Sequence, residues 1–323
     1  MTGDRVWVKD LRPGTTVEGT FAVRSKEVRQ RRGGGAYLAL TLADRTGQVA
    51  ALAWENVERF NRACAVGDVV RVQAQVQRYN QRLQLVVREL ERVPPEEVDE
   101  REFLRASPID PDLLWARLEA LIEGITDPNL RQLVTRIFMD EEVREPFRVA
   151  PAARSMHHAY RSGLLEHTVS VAEATAMLAR HYGLNVSLAV AGALLHDLGK
   201  IWELRPGPSI EYTDSGRLLG HLTMEVLYVE ERIGELEAFP KELRRQLLHI
   251  LLAHHGEYAY GSPRRPKTPE AMLVHSVDNM DARVAGMLQA IEDGGETGEA
   301  WTAYSPLLER YVYRRRPPEE PEA

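Results

Sequence analysis

Residues 191–200 read AGALLHDLGK, and this stretch limits the chain more than any other. Residues 186–198 are apolar on nearly every face, so a helix laid over them is buried all round. Such a helix carries His196 and Asp197 into the interior. Left without partners there, the pair costs several kcal/mol, so something compensates it. Two arrangements do so. One is a satisfied core His–Asp hydrogen bond. The other is a bound divalent cation, since carboxylate and neutral imidazole are hard and borderline ligands. Gly199 is expected to close the helix in the left-handed conformation, sending Lys200 toward solvent or an anion.

Four further places supply the same ligand chemistry: His167 in GLLEHT, His221 in GHLT, the doublet His254-His255 after a mostly apolar segment over 247–253, and Asp278 in HSVDN. Any one of these histidines alone reads as structural. Seven residues in the order H…HD…H…HH…D, each on or at the end of a helical segment, point to a metal site on a rigid scaffold.

The first 92 residues follow another rhythm. Ala36, Leu38, Leu40 and Leu42 share one face and Tyr37, Ala39 and Thr41 the other, the period-two pattern of a strand. The turn Asp44-Arg45-Thr46-Gly47 leads to a hairpin partner over 48–54. A short helical piece over 55–64 precedes two more strands, with Val70, Val72, Ala74 and Val76 inward in one and Leu83, Leu85 and Val87 inward in the other. With a first strand from Thr16, this is the order of an OB-fold, a five-stranded, partly open barrel.

Its two ligand loops hold Arg29, Arg31 and Arg32 beside Gly33, Gly34 and Gly35, and Arg78, Tyr79 and Arg82. Cations meet phosphates and aromatic rings meet bases, so Tyr37 and Tyr79 are the stacking candidates for a single strand. Trp54 and Phe21 are expected in the core. OB-folds also bind sugars and proteins. Charge favours nucleic acid: residues 1–92 carry 16 Lys+Arg against 10 Asp+Glu, and the remainder 25 against 38, a basic front on an acidic body.

Pro94-Pro95 ends the barrel pattern, and Asp110-Pro111 and Asp127-Pro128 each look like an N-cap before a proline at the first helical position. The expected division is a barrel over 1–92, a linker and helical lead-in over 93–150, the ligand-bearing helical domain over 151–316 and a disordered tail over 317–323.

The ligand order resembles the HD superfamily of metal-dependent phosphohydrolases in its two-metal form. On that resemblance His167, His196, Asp197 and Asp278 hold one ion, and Asp197 bridges to a second held by His221, His254 and His255. Met156-His157-His158-Ala159-Tyr160, residues 163–168, Glu211-Tyr212-Thr213-Asp214, residues 254–263 and Ala282 resemble the YhaM-type 3′–5′ exoribonucleases, which also place an OB-fold ahead of the HD domain. The resemblance covers nearly the whole chain. It departs at Arg161-Ser162-Gly163, where a small pair such as Gly-Gly is expected, which bears on the local backbone shape. It implies an all-β OB-fold barrel followed by an all-α HD domain; barrel and site together point to hydrolysis of single-stranded RNA, with single-stranded DNA as a second substrate, and the resemblance alone implies that cutting proceeds from the 3′ end. It favours manganese; the N/O donor set by itself suits manganese, cobalt, iron or zinc equally.

Two such ions about 3.5–4 Å apart share a water, lower its pKa and clamp the attacking and leaving oxygens, so a bridging hydroxide would attack phosphorus in line. Lys200 is the first candidate to neutralise a phosphate, against simple pairing at a helix end. His157 and His158 follow, for substrate contact or leaving-group protonation, with packing as the other role of His158. Arg217 and the basic loop bearing Arg264 and Arg265 are candidates to guide the strand. His275, one turn before Asp278, suits a supporting role, and His181 and His249 read as surface or packing.

The single cysteine, Cys64, excludes an intrachain disulfide and fits the cytoplasm. The opening MTGDRVWVKD lacks the pattern of a secretory leader, and no uncharged apolar run reaches the roughly 18 residues of a membrane span. Two other functions stay open. A phosphohydrolase of small nucleotides, cyclic dinucleotides included, keeps its turnover when residues 1–92 are removed. A binding protein with a dead site is disfavoured by the complete ligand set.

Overall fold

The computed structural model describes residues 5–31, 33–79, 82–154, 158–293, 300–305 and 308–314. These described residues fall into two compact units, one drawn from within 1–106 together with 206–211, the other from within 107–205 and 212–314.

In the first unit β1 (Thr16–Gln30), β2 (Ala36–Asp44), β3 (Gly47–Ala53), β4 (Val69–Tyr79) and β5 (Arg82–Arg92) close a barrel in the order β1-β2-β3-β5-β4. The pairs are antiparallel except β3 with β5, whose parallel register over 50–52 and 84–86 closes what the sequence suggests is partly open. Alternation places Phe21, Leu38, Leu42, Val70, Val72, Ala74, Val76 and Leu85 inside, all fully buried. A bulge shifts the β4–β5 register between Gln73 and Ala74, so the inward phase of β5 moves from Leu85 and Val87 to Leu90. One helix, α1 (Val57–Ala63), sends Phe60 into this core. Trp54 departs from expectation. It is 39% exposed rather than packed inside.

The second unit is helical. The lead-in forms α2 (Pro111–Glu123), α3 (Pro128–Met139) and α4 (Glu141–Val149). Asp110 and Asp127 cap the first two, their carboxylates accepting from the N–H groups of Asp112 and of Asn129 and Leu130. Next come α5 (Gly163–Tyr182), α6 (Val186–Leu195), the short α7 (Lys200–Glu203), α8 (Asp214–Leu219), α9 (His221–Gly234), α10 (Lys241–Ala253) and α11 (Pro269–Asp293). A two-stranded ribbon, β6 (Leu204–Arg205) with β7 (Glu211–Tyr212), joins α7 to α8.

One apolar core runs through α2 to α6 and α9 to α11, with α6 buried from Ser187 to Leu195. Gly192 lets α10 approach α6, since a Cβ there would lie 2.6 Å from the Ile250 side chain. No helix among the described residues is long and apolar enough to cross a membrane.

Candidate metal centre

The helix expected over 186–198 ends earlier, at Leu195, and residues 196–199 form a tight turn before α7. Gly199 is right-handed, with φ −59°, not a left-handed cap. Its requirement is steric: a Cβ there would meet the His221 carbonyl oxygen at 2.2 Å. This close approach brings the end of α6 against the start of α9. His167 comes from the second turn of α5, His254 and His255 from just beyond α10, and Asp278 from the middle of α11.

The seven residues meet in two groups. Donor atoms of His167, His196 and Asp278 lie within 4.8 Å of one another, and so do those of His221, His254 and His255. Asp197 stands between them. Its Oδ2 is 3.4 Å from Nε2 of both His167 and His196, while Oδ1 is 3.7 Å from Nε2 of both His221 and His254. One carboxylate thus offers a separate oxygen to each group.

All five imidazoles are anchored at Nδ1. His167 Nδ1–H donates to Asp281 at 2.7 Å and His221 Nδ1–H to Glu203 at 3.0 Å. His196, His254 and His255 donate to the carbonyls of Ala193, Leu251 and Tyr260 at 2.7–2.9 Å. Anchoring at Nδ1 leaves the Nε2 lone pairs aimed inward, the outer arrangement that orients metal-ligating histidines. Nε2 of His167 and His196 face each other at 3.2 Å, as do those of His221 and His255. Nε2 of His254 is buried with no hydrogen-bond partner. Opposed lone pairs beside buried carboxylates call for a cation between them, so the residues fit divalent ions.

The electrostatics agree. Burial opposes a charge on His167 and His196, but bonds and proximity to Asp197 and Asp278 outweigh it, lifting His196 to about 9 and His167 well above the usual range. Burial followed by the neighbouring histidines pushes His254 down, and burial with His221 lowers His255. Against the desolvation that would raise them, Asp197 is held low chiefly by the Lys200 charge and Asp278 by its bonds to His167 and His196.

Residues 164–283 match the HD domain family, and residues 19–93 match the OB-fold nucleic acid binding domain family. The 3′–5′ exoribonuclease YhaM of Bacillus subtilis (strain 168) is 33% identical over 281 residues, which are 86% of this chain and 88% of that protein. Its namesake in Listeria innocua is 34% identical over 275 residues, 84% and 87% of the two chains. The chain belongs to the YhaM family. Among solved structures, the second OB-fold domain of replication protein A from Methanococcus maripaludis covers 29% of this chain and 97% of its own, at 20% identity and a TM-score of 0.24.

In this YhaM-family chain Lys200 turns inward rather than to solvent, its Nζ 2.6 Å from Asp197 Oδ2. His158, expected to touch substrate or protonate a leaving group, is buried with Nδ1 on the Tyr160 hydroxyl at 2.8 Å and Nε2 on Asp281 at 3.0 Å. Both ring nitrogens thus have protein partners, as the packing alternative expects. His157 lies outside the described residues. His275 Nδ1–H donates to the His254 carbonyl at 2.7 Å, and its ring stands where a Cβ on Gly256 would be.

Three groups at the centre escaped the sequence reading. Asp281, one turn beyond Asp278, joins His167, His158 and the Ser170 hydroxyl, and its spacing was the available signal. Glu203 accepts from both the backbone N–H and Nδ1–H of His221. Glu225 is fully buried, with Oε1 3.8 Å from His254 Nδ1. Burial and then the Asp197 charge push its carboxyl well up.

On the barrel Tyr37 stacks on Trp54, ring centroids 4.7 Å apart, and the Arg31 guanidinium lies 4.9 Å over Trp54 while bonding its carbonyl. Arg29 pairs with Glu27 at 2.8 Å, and Tyr79 and Arg78 are exposed at the far end of β4. Arg32 and the side chain of Arg82 lie outside the described residues. In the helical unit Arg217 is exposed on α8, Arg264 is exposed, and Arg265 pairs with Glu257 at 2.6 Å over the Tyr258 ring.

Proposed function

We propose that this chain is a metal-dependent 3′–5′ exoribonuclease that hydrolyses phosphodiester bonds of single-stranded RNA, and of single-stranded DNA as a second substrate. The observation that carries this reading is the Asp197 carboxylate, one oxygen toward each histidine group. His167, His196, Asp197 and Asp278 would hold one divalent ion, and His221, His254, His255 and Asp197 a second, with manganese favoured by the family. Bound there, such ions supply Lewis acidity, a water acidified toward neutral pH and charge neutralisation on the phosphodiester oxygens.

The protein's own work is orientation. Asp281 and Glu203 fix His167 and His221, and three backbone carbonyls fix His196, His254 and His255, so the donors are held before any ligand arrives. Lys200 keeps Asp197 ionised and limits the negative charge a phosphate would meet. On the barrel the exposed Trp54 with Tyr37, and Tyr79, offer faces for bases, and Arg29, Arg31 and Arg78 offer charge for phosphates. Polarity rests on the family. A reducing cytoplasm suits the lone, buried Cys64.

The test is cleavage of 5′-labelled and 3′-labelled RNA in manganese. Successive shortening of the 5′-labelled strand, with immediate release of mononucleotide from the 3′-labelled one, is expected. An intact strand beside rapid hydrolysis of a cyclic dinucleotide would overturn the reading.

A further inference from the structure

The helical unit carries a cation-lined groove of about 430 Å³ along the flank of α10. One wall is the stripe Lys241, Arg244, Arg245, Leu248, His249 and Leu252, spaced i, i+3, i+4, i+7, i+8 and i+11 as one helix face requires. The other wall is Arg264 and Lys267. The two walls are tied together: Lys267 N–H donates to His249 Nε2 at 2.9 Å, and the Ser262 hydroxyl bridges the carbonyls of Leu252 and Arg264. With Nε2 accepting, neutral His249 carries its proton on Nδ1 and is a donor.

Charge in the groove is not balanced internally. Arg244 donates to Glu230 at 2.8 Å and Arg245 to Glu242 at 2.6 Å, whereas Lys241, Arg264 and Lys267 have no ion-pair partner among the described residues. Residues 93–323 hold 25 Lys+Arg against 38 Asp+Glu, so a concentration of cations here runs against the charge of its surroundings. No phenylalanine, tyrosine or tryptophan is among the lining residues, so the groove offers bases none of the large platforms found on the barrel. Its Leu252 end is two residues from His254, and Lys241 lies about 16 Å back along the helix at 1.5 Å per residue.

We infer that this groove binds the phosphate backbone of the substrate strand, without sequence preference, at phosphates remote from the bond being cut. It rests on the exoribonuclease reading and adds a second phosphate track, on the catalytic unit itself, to the barrel. The track requires a long strand; a dinucleotide is too short to occupy both it and the metal centre.

The test uses the manganese-loaded full chain, the triple variant Lys241→Gln/Arg264→Gln/Lys267→Gln and a fluorescent RNA whose 3′-terminal phosphorothioate linkages resist cleavage. All three side chains are exposed, and an unchanged Tm confirms the fold of the variant. Long-strand affinity is expected to fall about tenfold or more, and the slope of log K against log salt to lose about 2, at roughly 0.7 per phosphate contact on a single strand. The ratio of long-strand to dinucleotide affinity falls with it. Equal affinity and slope in the two proteins would overturn the inference, and so would loss of inorganic pyrophosphate binding alone, which would make the groove a small-anion site. If the unaltered chain cleaves unmodified RNA while the variant binds normally, only the groove assignment fails. If the unaltered chain neither binds nor cleaves RNA, the functional reading fails with it.

Discussion

Asp281 shows how much of the centre depends on a residue that would touch no metal. Its Oδ2 accepts from His167 Nδ1–H, so Asp281→Asn, similar in size but uncharged, weakens the hold on the imidazole and lowers its basicity. Metal affinity is expected to fall about 10–100-fold, read by calorimetric titration with manganese, and an unchanged affinity would contradict that role. Protonation adds a second check. In chelator-treated protein the His167–His196 pair keeps a proton well above the ordinary 6.5, His196 at about 9, because Asp197 and Asp278 overcome burial. A raised folded value contributes stability fully present below about pH 6.5 and lost as pH rises through about 9. Metal must displace that proton, so uptake at neutral pH releases protons, and affinity strengthens as pH rises toward 9. Titrations in buffers of different ionisation enthalpy measure the release, and identical heats would rule it out. The seven candidate ligands were legible in the sequence because each is a polar residue interrupting or ending an apolar segment. Asp281 was legible only as a spacing from Asp278. Glu203 and Glu225 had no local signal, since what marks them is the tertiary approach of α7 and α9 to the centre.

At the scale of elements, the junction between α6 and α9 sets the distance between the two ligand groups. Gly199→Ala would drive a methyl into the His221 carbonyl, against backbone that cannot rotate away. Overpacking of this kind costs about 1–3 kcal/mol, seen as a lower Tm, and here also weakens manganese binding by displacing His221. Gly234→Ala, at the end of α9 with nothing within 4 Å of its Cβ, is the control and leaves both readouts near their starting values. The sequence placed a glycine at 199 but suggested the wrong reason, because a cap and a close backbone contact demand the same residue. Ser162 is the converse. It caps α5 at φ +65°, a left-handed conformation open to glycine at no cost, at the position where the family pattern suggests a small pair. The barrel strands were legible from alternation, while the bulge that moves the inward phase to Leu90 was not, since it arises from pairing with β4.

For the whole molecule, charge and aromatic placement divide the work. On the proposed function the Tyr37–Trp54 stack would offer a face to bases, and Trp54→Ala is then expected to weaken single-strand affinity by about 1–3 kcal/mol, measured by fluorescence anisotropy. Hydrolysis of a small aryl phosphodiester, which has no strand to hold, is the companion readout and stays within twofold. Loss of both activities together would make Trp54 a structural residue. Composition suggested a basic front and an acidic body, but it averaged away the cationic groove on α10, which appears only when the helix stripe and the loop that follows it are brought together. Both units serve one claim, that Asp197 joins two metal ions into a single hydrolytic centre. Manganese titration followed by electron paramagnetic resonance tests it most directly. The unaltered chain should take up two equivalents with the signal of a magnetically coupled pair, and Asp197→Asn should lose that coupling together with RNA cleavage. One equivalent per chain, or two uncoupled ions in the unaltered protein, would contradict it.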